Sequence, residues 1–297
     1  MTTVDDIPAP EPDEIITVVG PTASGKTGLA IALAERWGGE IIGADSVQIY
    51  RLFDVGSGKP TAAERAQVPH HLIDVVDPLA PFDAGRFVAM ADEAIAEVRS
   101  RGRRPIVCGG TFLWVKALLF GLAPSAPADD EIRARHAAIA EQAGRPALHE
   151  RLAQVDPTSA ARLAPNDLVR VSRALEVFEL TGKTQSEWHA EHQFGTSRYR
   201  TRLLGVERPR DVIDRRIAER AQGWLDGDWI TEVRDLLDGG YGEARAMASV
   251  GYKQVRDHVL GELGTDELQE AVVRATRKFV RRQRTWLRDE PVDWVSP

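Results

Sequence analysis

Cysteine is almost absent from this chain of 297 residues, which contains only Cys108. A single cysteine excludes an intrachain disulfide and suits a reducing compartment, and we expect Cys108 to be structural rather than reactive. Long apolar runs are also lacking, so no segment is expected to span a membrane. Residues 1–14 are acidic and proline-rich, without the basic start and apolar stretch of a signal peptide. They predict a disordered tail on a cytoplasmic protein.

Excess positive charge is missing as well, because the chain has 38 Lys and Arg residues but 45 Asp and Glu residues, which gives a formal net charge of −7. This balance argues against non-specific binding to a polyanion, although it does not exclude a local basic patch. Hydrophobic residues make up 43% of the chain and charged residues 28%, which predicts a packed globular protein. The length fits one large domain or a domain that carries an insertion.

Short apolar runs alternate with amphipathic stretches in the first part of the chain. Strands are predicted at residues 15–19, 40–45, 71–77 and 105–111. Such alternation predicts an α/β fold with a doubly wound parallel sheet, which binds ligands at the carboxyl ends of its strands. Gly20, Asp45 and the segment Gly109-Gly110-Thr111 follow three of these ends, so we expect them to meet at one site.

The pattern changes after a junction rich in Pro, Ala and Ser at residues 122–128. Only helical periodicity follows, as far as about residue 190, before strand character returns at residues 200–209. We therefore predict a catalytic core over residues 15–122 and 197–297, interrupted by an all-helical insertion domain over residues 123–196. Four helices are predicted in the second part of the core, at about residues 210–226, 228–238, 251–260 and 265–288.

Residues 20–27, GPTASGKT, match the phosphate-binding pattern G-x-x-x-x-G-K-[ST] between a predicted strand and a predicted helix. The glycines let backbone N–H groups face an anion, the helix N-terminus adds its dipole, Lys26 adds a positive charge and the Thr27 hydroxyl suits Mg²⁺. The predicted diphosphate site comprises Gly20, Pro21, Thr22, Ala23, Ser24, Gly25, Lys26 and Thr27, with Thr27 as the metal ligand. The loop makes the predicted sheet P-loop NTPase-like.

A phosphate loop does not by itself predict phosphoryl transfer. P-loop NTPases hold the Mg²⁺ shell with an Asp at the end of an apolar strand, but the strand best placed for this role, PIVCGG, ends in Cys-Gly-Gly. Asp45 does end a strand, where it is a candidate general base or metal-shell ligand. Because Asp and Ser are favoured helix N-caps, Asp45-Ser46 as a cap is the open alternative.

Seven ordered stretches resemble the tRNA dimethylallyltransferase family and together run from about residue 15 to 290. They are GPTASGKT, ADSVQIYR with DVGSGKP, GGTFLWVKALLFGL, PNDLVRVSRALEVFELTGK, RRIAER, VGYKQ and ATRKFVRRQRTWLR. The resemblance implies that the protein transfers a dimethylallyl group from dimethylallyl diphosphate to the exocyclic amine of the adenosine 3′ of a tRNA anticodon, with Mg²⁺. The loop would then hold a leaving diphosphate, and no phosphoryl group would move.

The resemblance also implies residue roles. Asp45 takes a proton from the amine, Thr111 positions the adenine, and Arg220 contacts the diphosphate, assisted by Arg216 on the same helical face. The implied tRNA contacts are Asp45, Ser46, Val47, Gln48, Thr111, Arg133, Val169, Arg170, Val171, Ser172, Arg173, Val250, Gly251, Tyr252 and Lys253. For Arg170 and Arg173, ion pairing with Glu176 or Glu179 is the alternative.

Residues 271–288 contain no acid, and their apolar residues recur every seven positions, which predicts a helix with one buried stripe. A charge run is commonly a solvated face, but one sign of charge within an acidic protein favours a polyanion. With the resemblance, we expect Arg281 and Arg284 to contact the backbone of the tRNA anticodon stem-loop.

Some positions depart from the family pattern, notably Leu52, Phe53, Gly58, Ala248 and Lys253, and we expect these changes to affect tRNA contacts rather than the diphosphate site. Two other functions stay open. One is a P-loop kinase for a small molecule or nucleotide, and the other is an isopentenyltransferase acting on free AMP. A monomer is the simplest expectation for the oligomeric state.

Overall fold

Short apolar and β-branched runs form a six-stranded sheet in which all of the described pairings are parallel. The strands are β1 (Ile15–Val19), β2 (Gly39–Gly43), β3 (His70–His71), β4 (Arg104–Cys108), β5 (Thr201–Val206) and β6 (Val292–Val295), in the spatial order β3-β2-β4-β1-β5-β6. All five residues of β1 are buried because the strand lies inside the sheet with both faces covered.

The computed structural model describes residues 4–123, 126–192 and 195–296. The chain divides into a core unit, Met1–Leu119 with Arg198–Pro297, and an insertion unit, Phe120–Ser197. The insertion thus begins three residues before the predicted residue 123 and ends one residue after the predicted residue 196. Among the described residues, no helix has the length and apolar character needed to cross a bilayer.

The helices of the core unit follow the strands as the α/β pattern requires. They are α1 (Lys26–Trp37), α2 (Ala62–Gln67), α3 (Ala84–Ser100), α4 (Phe112–Phe120), α10 (Arg210–Leu225), α11 (Trp229–Asp238), α12 (Tyr252–Val259) and α13 (Thr265–Leu287). Helix α1 ends at Gly38, whose φ of 64° permits the left-handed C-cap. Short 3-10 helices cover Val4–Asp6 and Arg245–Ala248.

The insertion unit contains five described helices, numbered between those of the core. They are α5 (Asp130–Ala143), α6 (Arg145–Val155), α7 (Pro157–Arg162), α8 (Leu168–Thr181) and α9 (Gln185–His192). Leu148 and Leu152 of α6 pack with Val171 and Leu175 of α8 to form its hydrophobic core. The all-helical character agrees with the periodicity of the sequence.

Residues 4–14 lie against the core and do not form the disordered tail that their composition predicts. The Ile7 side chain is only 2% exposed and joins the cluster around β1 and α1. The Arg104 guanidinium donates to the carbonyl of Pro10, and Arg202 Nη2 donates to the carbonyl of Pro8 (3.2 Å). Apolar contact and hydrogen bonds from arginine side chains to main-chain carbonyls therefore order this segment despite its prolines.

Strands β3 and β6 differ most from the sequence prediction, while β2 and β4 end two and three residues before their predicted ends. Strand β3 is only His70–His71, and the rest of the predicted segment 71–77 makes an isolated bridge between Tyr50 and Val76. Strand β6 was not predicted, because Asp293 and Trp294 in its middle are exposed and the segment becomes a strand only by pairing with β5.

The sheet order brings the loops after β1, β4 and β2 side by side. The amide of Gly109, just after β4, donates to the carbonyl of Val18 (3.2 Å). The amide of Ala44, just after β2, donates to the carbonyl of Cys108 (2.8 Å), and the amide of Thr111 donates back to Ala44 (3.2 Å). The predicted site segments therefore meet at one edge of the sheet.

Gly109 is required by close packing at this junction. A Cβ atom at residue 109 would lie 2.1 Å from the Ala44 carbonyl oxygen, whereas a Cβ at Gly28, inside α1, meets nothing within 4 Å. We predict that Gly109→Ala lowers the free energy of unfolding by about 1–3 kcal/mol through overpacking. The control Gly28→Ala should raise it by about 0.5–1 kcal/mol through helix propensity. Denaturant unfolding measures both, and an unchanged stability of Gly109→Ala would contradict the described junction.

Candidate active site

The loop between β1 and α1 forms one wall of a cavity of about 590 Å³, which we call the polar cavity because Lys26 and three arginines line it. Gly25 ends the loop at φ 104°, in the left-handed region, so that α1 begins at Lys26 with its N-terminus toward the cavity. Lys26 Nζ donates to the carbonyl of Pro21 (3.1 Å), which holds the ammonium over the loop. Burial lowers the pKa of Lys26. Thr22, Ala23, Gly25 and Thr27 line the same cavity, as the sequence pattern predicts. Gly20, Pro21 and Ser24 of the predicted diphosphate site do not line it, and Ser24 is fully buried.

Three arginines join Lys26 around this cavity. Arg216 and Arg220 come from one face of α10, and Arg208 comes from the segment just after β5. Arg220 Nη2 donates to Thr22 Oγ1 (2.8 Å), and burial followed by the nearby Arg216 lowers the pKa of Arg220 to about 10. Even so, Arg220 is positively charged at neutral pH. Such a concentration of cations on a loop of inward N–H groups indicates a site for a polyphosphate anion.

Arg208 was not identified from the sequence. Its Nε donates to the carbonyl of Ser24 (2.7 Å), so a side chain that lines the cavity also supports the phosphate loop. Burial and the charge of Arg216 lower the pKa of Arg208. Its position directly after β5, at the edge of the sheet that binds ligands, is the signal that could have revealed it.

Asp45 follows β2 and lines the polar cavity. Its Oδ1 accepts from the amides of Val47 (2.9 Å) and Gln48 (3.3 Å), so the carboxylate caps a turn and not a regular helix. The capping interpretation and the catalytic one are therefore compatible, because both bonds use the same oxygen. No hydrogen bond within the described part of the chain uses Oδ2, which is available to a ligand.

Thr111 fixes the turn that carries Asp45. Its Oγ1 accepts from the amide of Ser46 (2.9 Å) and donates to Ser46 Oγ (3.1 Å). The loop after β4 thus holds the loop after β2 by side chain as well as by main chain. Thr111 and Ser46 line a second cavity, of about 300 Å³.

This second cavity adjoins the polar one and has mainly apolar walls. Asp45 and Arg220 line both cavities. The apolar walls come from α10, α11 and α13, and include Ile217, Ala221, Trp224, Trp229, Val272 and Phe279. A carboxylate at the border of a cationic and an apolar cavity suits chemistry on a substrate with a charged head and an apolar tail.

Gln283 of α13 is a second residue that the sequence did not reveal. Its Oε1 accepts from the amide of Thr22 (2.8 Å), while its Nε2 donates to the carbonyl of Gly110 (3.0 Å). The side chain is only 7% exposed. A neutral polar residue on the buried stripe of an arginine-rich helix is a recognisable signal, and here it links the phosphate loop to the loop after β4.

The segment VGYKQ divides between the cavity and the protein interior. Val250 and Gly251 line the second cavity, and Lys253 is exposed and forms an ion pair with Asp257. The prediction that Tyr252 contacts tRNA is wrong for its side chain, which is fully buried and packs edge-on against Phe53 at 5.0 Å. Phe53 is itself buried, so this departure from the family pattern affects packing and does not alter an RNA contact.

Glu232 of α11 holds the loop that contains Leu52, Phe53 and Gly58, three of the positions that depart from the family pattern. Its Oε2 accepts from the amides of Asp54 (3.0 Å) and Val55 (2.7 Å), and its Oε1 accepts from the Tyr252 hydroxyl (2.6 Å). Burial raises the pKa of Glu232 above 4.5 despite these hydrogen bonds. Gln48, also predicted to contact tRNA, instead donates from Nε2 to the carbonyls of Ser57 and Gly58 in the same loop.

The predicted contacts of the insertion unit fall into buried and exposed groups. Val171 belongs to the hydrophobic core, and Ser172 Oγ is buried against His136 Nδ1 (3.0 Å), so neither side chain is available to RNA and both predictions are corrected. The periodicity of α8 explains this, because residues on one face of a helix pack inward together. Val169, by contrast, is 79% exposed.

The three arginines of the insertion unit that were predicted to contact tRNA form ion pairs. Arg133 and Arg173 both bind the fully buried carboxylate of Glu176, and Arg170 binds Asp167. The ion-pair alternative therefore describes Arg173 correctly, whereas the partner of Arg170 lies at the start of its own helix. Arg133 and Arg170 remain partly exposed.

A third cavity, of about 690 Å³, lies along the basic face of α13. Its arginines are Arg208, Arg210, Arg281, Arg284 and Arg288. Arg284 Nη2 donates to the carbonyl of Arg208 (3.1 Å), which joins this surface to the segment that supports the phosphate loop. An arginine-lined groove of this kind is suited to a phosphate backbone.

Residues 48–290 match the family model described as IPP transferase, and residues 13–74 match the one described as isopentenyl transferase. The chain belongs to the IPP transferase family. It is 65% identical over 292 residues to a tRNA dimethylallyltransferase of Sorangium cellulosum, covering 98% of this chain and 93% of the relative. A tRNA dimethylallyltransferase of Geobacter sulfurreducens is 48% identical over 285 residues, with 95% and 92% covered.

Solved structures of this family have the same architecture. The tRNA isopentenylpyrophosphate transferase of Bacillus halodurans superposes with a TM-score of 0.71 at 36% identity, covering 96% of this chain and 90% of that protein. A eukaryotic dimethylallyltransferase acting on tRNA gives a TM-score of 0.78 at 25% identity, with 96% and 74% covered. The P-loop NTPase-like α/β fold predicted from the sequence is confirmed.

The raised pKa of Glu232 predicts a pH dependence of stability. Ionisation of this carboxyl is less favourable in the folded than in the unfolded chain, so its contribution is fully present below pH 4.5 and is lost as the pH rises through the folded-state pKa. Glu232→Gln retains an acceptor for the two amides but cannot ionise. We expect the Tm of Glu232→Gln minus the Tm of wild type to increase as the pH is raised from about 4 to about 8.

The matched control is Glu270→Gln, at an exposed position on α13. Its Tm should follow the wild-type pH profile. Parallel profiles for Glu232→Gln and wild type would show that the Glu232 carboxyl is not destabilised by burial.

Proposed function

We propose that this protein transfers the dimethylallyl group of dimethylallyl diphosphate to the exocyclic amine of the adenosine 3′ of the anticodon in tRNA, releasing diphosphate. The observation that carries the proposal is the position of Asp45 on the border between a cation-lined phosphate cavity and an apolar cavity. Relatives named tRNA dimethylallyltransferase support the same reaction for this member of the IPP transferase family.

The diphosphate is bound by the loop amides and by the cations around the first cavity. Lys26, Arg216 and Arg220 stabilise the negative charge that grows on the leaving oxygen as the allylic C–O bond breaks. The bonding electrons leave with the diphosphate, and a bond forms between the allylic carbon and the adenine amine. Asp45 accepts the proton that the amine loses, and Thr111 holds the turn that aims Asp45.

Mg²⁺ fits the oxygen chemistry of the first cavity. The Thr27 hydroxyl lies at the N-terminus of α1 on the cavity wall. Mg²⁺ commonly uses one or two protein oxygens together with substrate phosphates and water, so Thr27 and the diphosphate form a suitable set. When bound, the ion would add to the neutralisation of the leaving group.

The acceptor is the tRNA anticodon stem-loop, whose adenosine must leave its stack to reach the cleft. Ser46, Val47 and Val250 line the second cavity and are placed to contact the extruded base. Arg281 and Arg284 offer positive charge to the RNA backbone. We further propose that the enzyme works as a monomer in the cytoplasm, to which its lone cysteine is suited.

The residue at the end of β4 argues against a kinase activity. The residue in the place of the expected Asp is Cys108, and burial raises the pKa of its thiol to about 11. A neutral thiol is a poor partner for Mg²⁺, which prefers oxygen ligands.

The acceptor is tested by supplying Mg²⁺ and dimethylallyl diphosphate with either unmodified tRNA or AMP. We expect prenylated adenosine in tRNA, with little product from AMP, because the arginine-lined surface of α13 is of use only with a polynucleotide. Product from AMP and none from tRNA would assign the protein to the free-adenylate enzymes instead.

Asp45→Asn tests the catalytic base. Asn keeps an oxygen that accepts from the amides of Val47 and Gln48, so the turn should persist while the base is lost. We predict that kcat falls by about 100-fold or more, with the Kd for tRNA near the wild-type value. The matched control is Asp83→Asn, at a carboxylate that caps α3 through the amide of Arg86, and it should leave kcat unchanged. Loss of tRNA binding in Asp45→Asn would mean that the carboxylate has a structural role.

A further inference from the structure

Helix α10 presents three side chains to the two cavities in an order that matches an allylic diphosphate. Arg216 lines only the polar cavity, Arg220 lines both, and Trp224 lines only the apolar one. They are spaced four residues apart on one helical face, so each side chain lies about 6 Å farther along the helix axis than the one before it. The helix face therefore runs from charge to aromatic surface in the direction in which the donor, as proposed above, runs from diphosphate to hydrocarbon.

The Trp224 indole is held on three sides. The Arg220 guanidinium lies over it, 4.6 Å from the ring centroid. Trp229, which is 1% exposed, packs edge-on behind it at 5.5 Å and 78°. A Cβ atom at Gly58 would lie 3.3 Å from the indole, so the absence of a side chain there lets the ring approach the main chain. Such a ring cannot swing aside without disturbing Arg220 or the buried Trp229.

We propose that Trp224 determines donor specificity by ending the apolar cavity one isoprene unit beyond the diphosphate. The proposal rests on the proposed transferase function. A dimethylallyl group has a main chain of four carbons, roughly 4 Å long at about 1.5 Å per bond. That length fits within the helical step from Arg220 to Trp224. A geranyl group, with eight carbons in its main chain, spans roughly 9 Å and would overlap the indole.

The volume of the second cavity supports this limit. About 300 Å³ must accept the hydrocarbon of the donor together with the adenine that approaches Asp45. Because the indole is packed against Trp229 and the loop at Gly58, replacing Trp224 with a smaller residue is the direct way to gain space for a second isoprene unit. Trp224 thus limits the length of the donor by its shape. Its contact with the Arg220 guanidinium has a separate effect, which is to position that group.

The test compares kcat/KM for geranyl and dimethylallyl diphosphate, with tRNA as acceptor, in wild type, Trp224→Ala and Trp224→Phe. We expect wild type to favour dimethylallyl diphosphate. Trp224→Ala should raise the geranyl-to-dimethylallyl ratio by about tenfold or more, the scale of steric discrimination in apolar pockets. Trp224→Phe, which keeps an aromatic face for Arg220, should raise it less. If Trp224→Ala does not fold, Trp224→Leu serves the same purpose.

The control is Trp188→Ala in the insertion unit. A change in tRNA affinity affects the rates with both donors equally, so the geranyl-to-dimethylallyl ratio of this variant should equal that of wild type. An unchanged ratio in Trp224→Ala with a raised KM for tRNA would place the indole against the adenine and overturn the proposal. An unchanged ratio with lower rates for both donors would mean that Trp224 only positions Arg220 and does not select the donor, which would also overturn the proposal. Wild type that transfers no dimethylallyl group to tRNA would instead refute the proposed function itself.

Discussion

Four cations held around one cavity are the constraint on which the rest of the site depends. Lys26, Arg208, Arg216 and Arg220 repel one another, and burial lowers the pKa of three of them, Lys26, Arg208 and Arg220. The protein keeps Lys26, Arg208 and Arg220 in place with neutral oxygen acceptors, namely the carbonyls of Pro21 and Ser24 and the hydroxyl of Thr22. These acceptors belong to the phosphate loop, so the loop and the cations support one another. Binding of an anion relieves the repulsion, which makes a departing diphosphate a well-stabilised leaving group.

The same arrangement separates the tasks of leaving group and base. The loop after β2 holds Asp45 through its own amides and through Thr111, and the loop after β4 is tied to the phosphate loop by Gln283 of α13. Three adjacent strand ends thus share one network of short hydrogen bonds. An apolar wall begins directly beyond Arg220, at Trp224. The geometry favours a reaction in which a charged group departs on one side and a nucleophile is deprotonated on the other.

Local sequence patterns predicted much of this site. The phosphate loop, the strands before it and after it, and the helical insertion are all encoded in short stretches, since glycine spacing and apolar periodicity need no distant partner. The position of Asp45 at a strand end followed from the same patterns. By contrast, Arg208, Gln283 and β6 acquire their roles only by contact with segments far along the chain. Three predicted contacts, Val171, Ser172 and Tyr252, proved buried because a motif does not show which face of its helix packs inward.

The central claim is that the phosphate loop holds a leaving group and does not pass on a phosphoryl group. It is tested most directly with dimethylallyl diphosphate that carries radioactive carbon in the allyl group and radioactive phosphorus in the diphosphate, incubated with the protein, Mg²⁺ and unmodified tRNA. The account predicts that the carbon label appears in tRNA and that the phosphorus label is released as inorganic diphosphate in equal amount. Phosphorus label in tRNA, or its release as orthophosphate by the protein, would contradict the account.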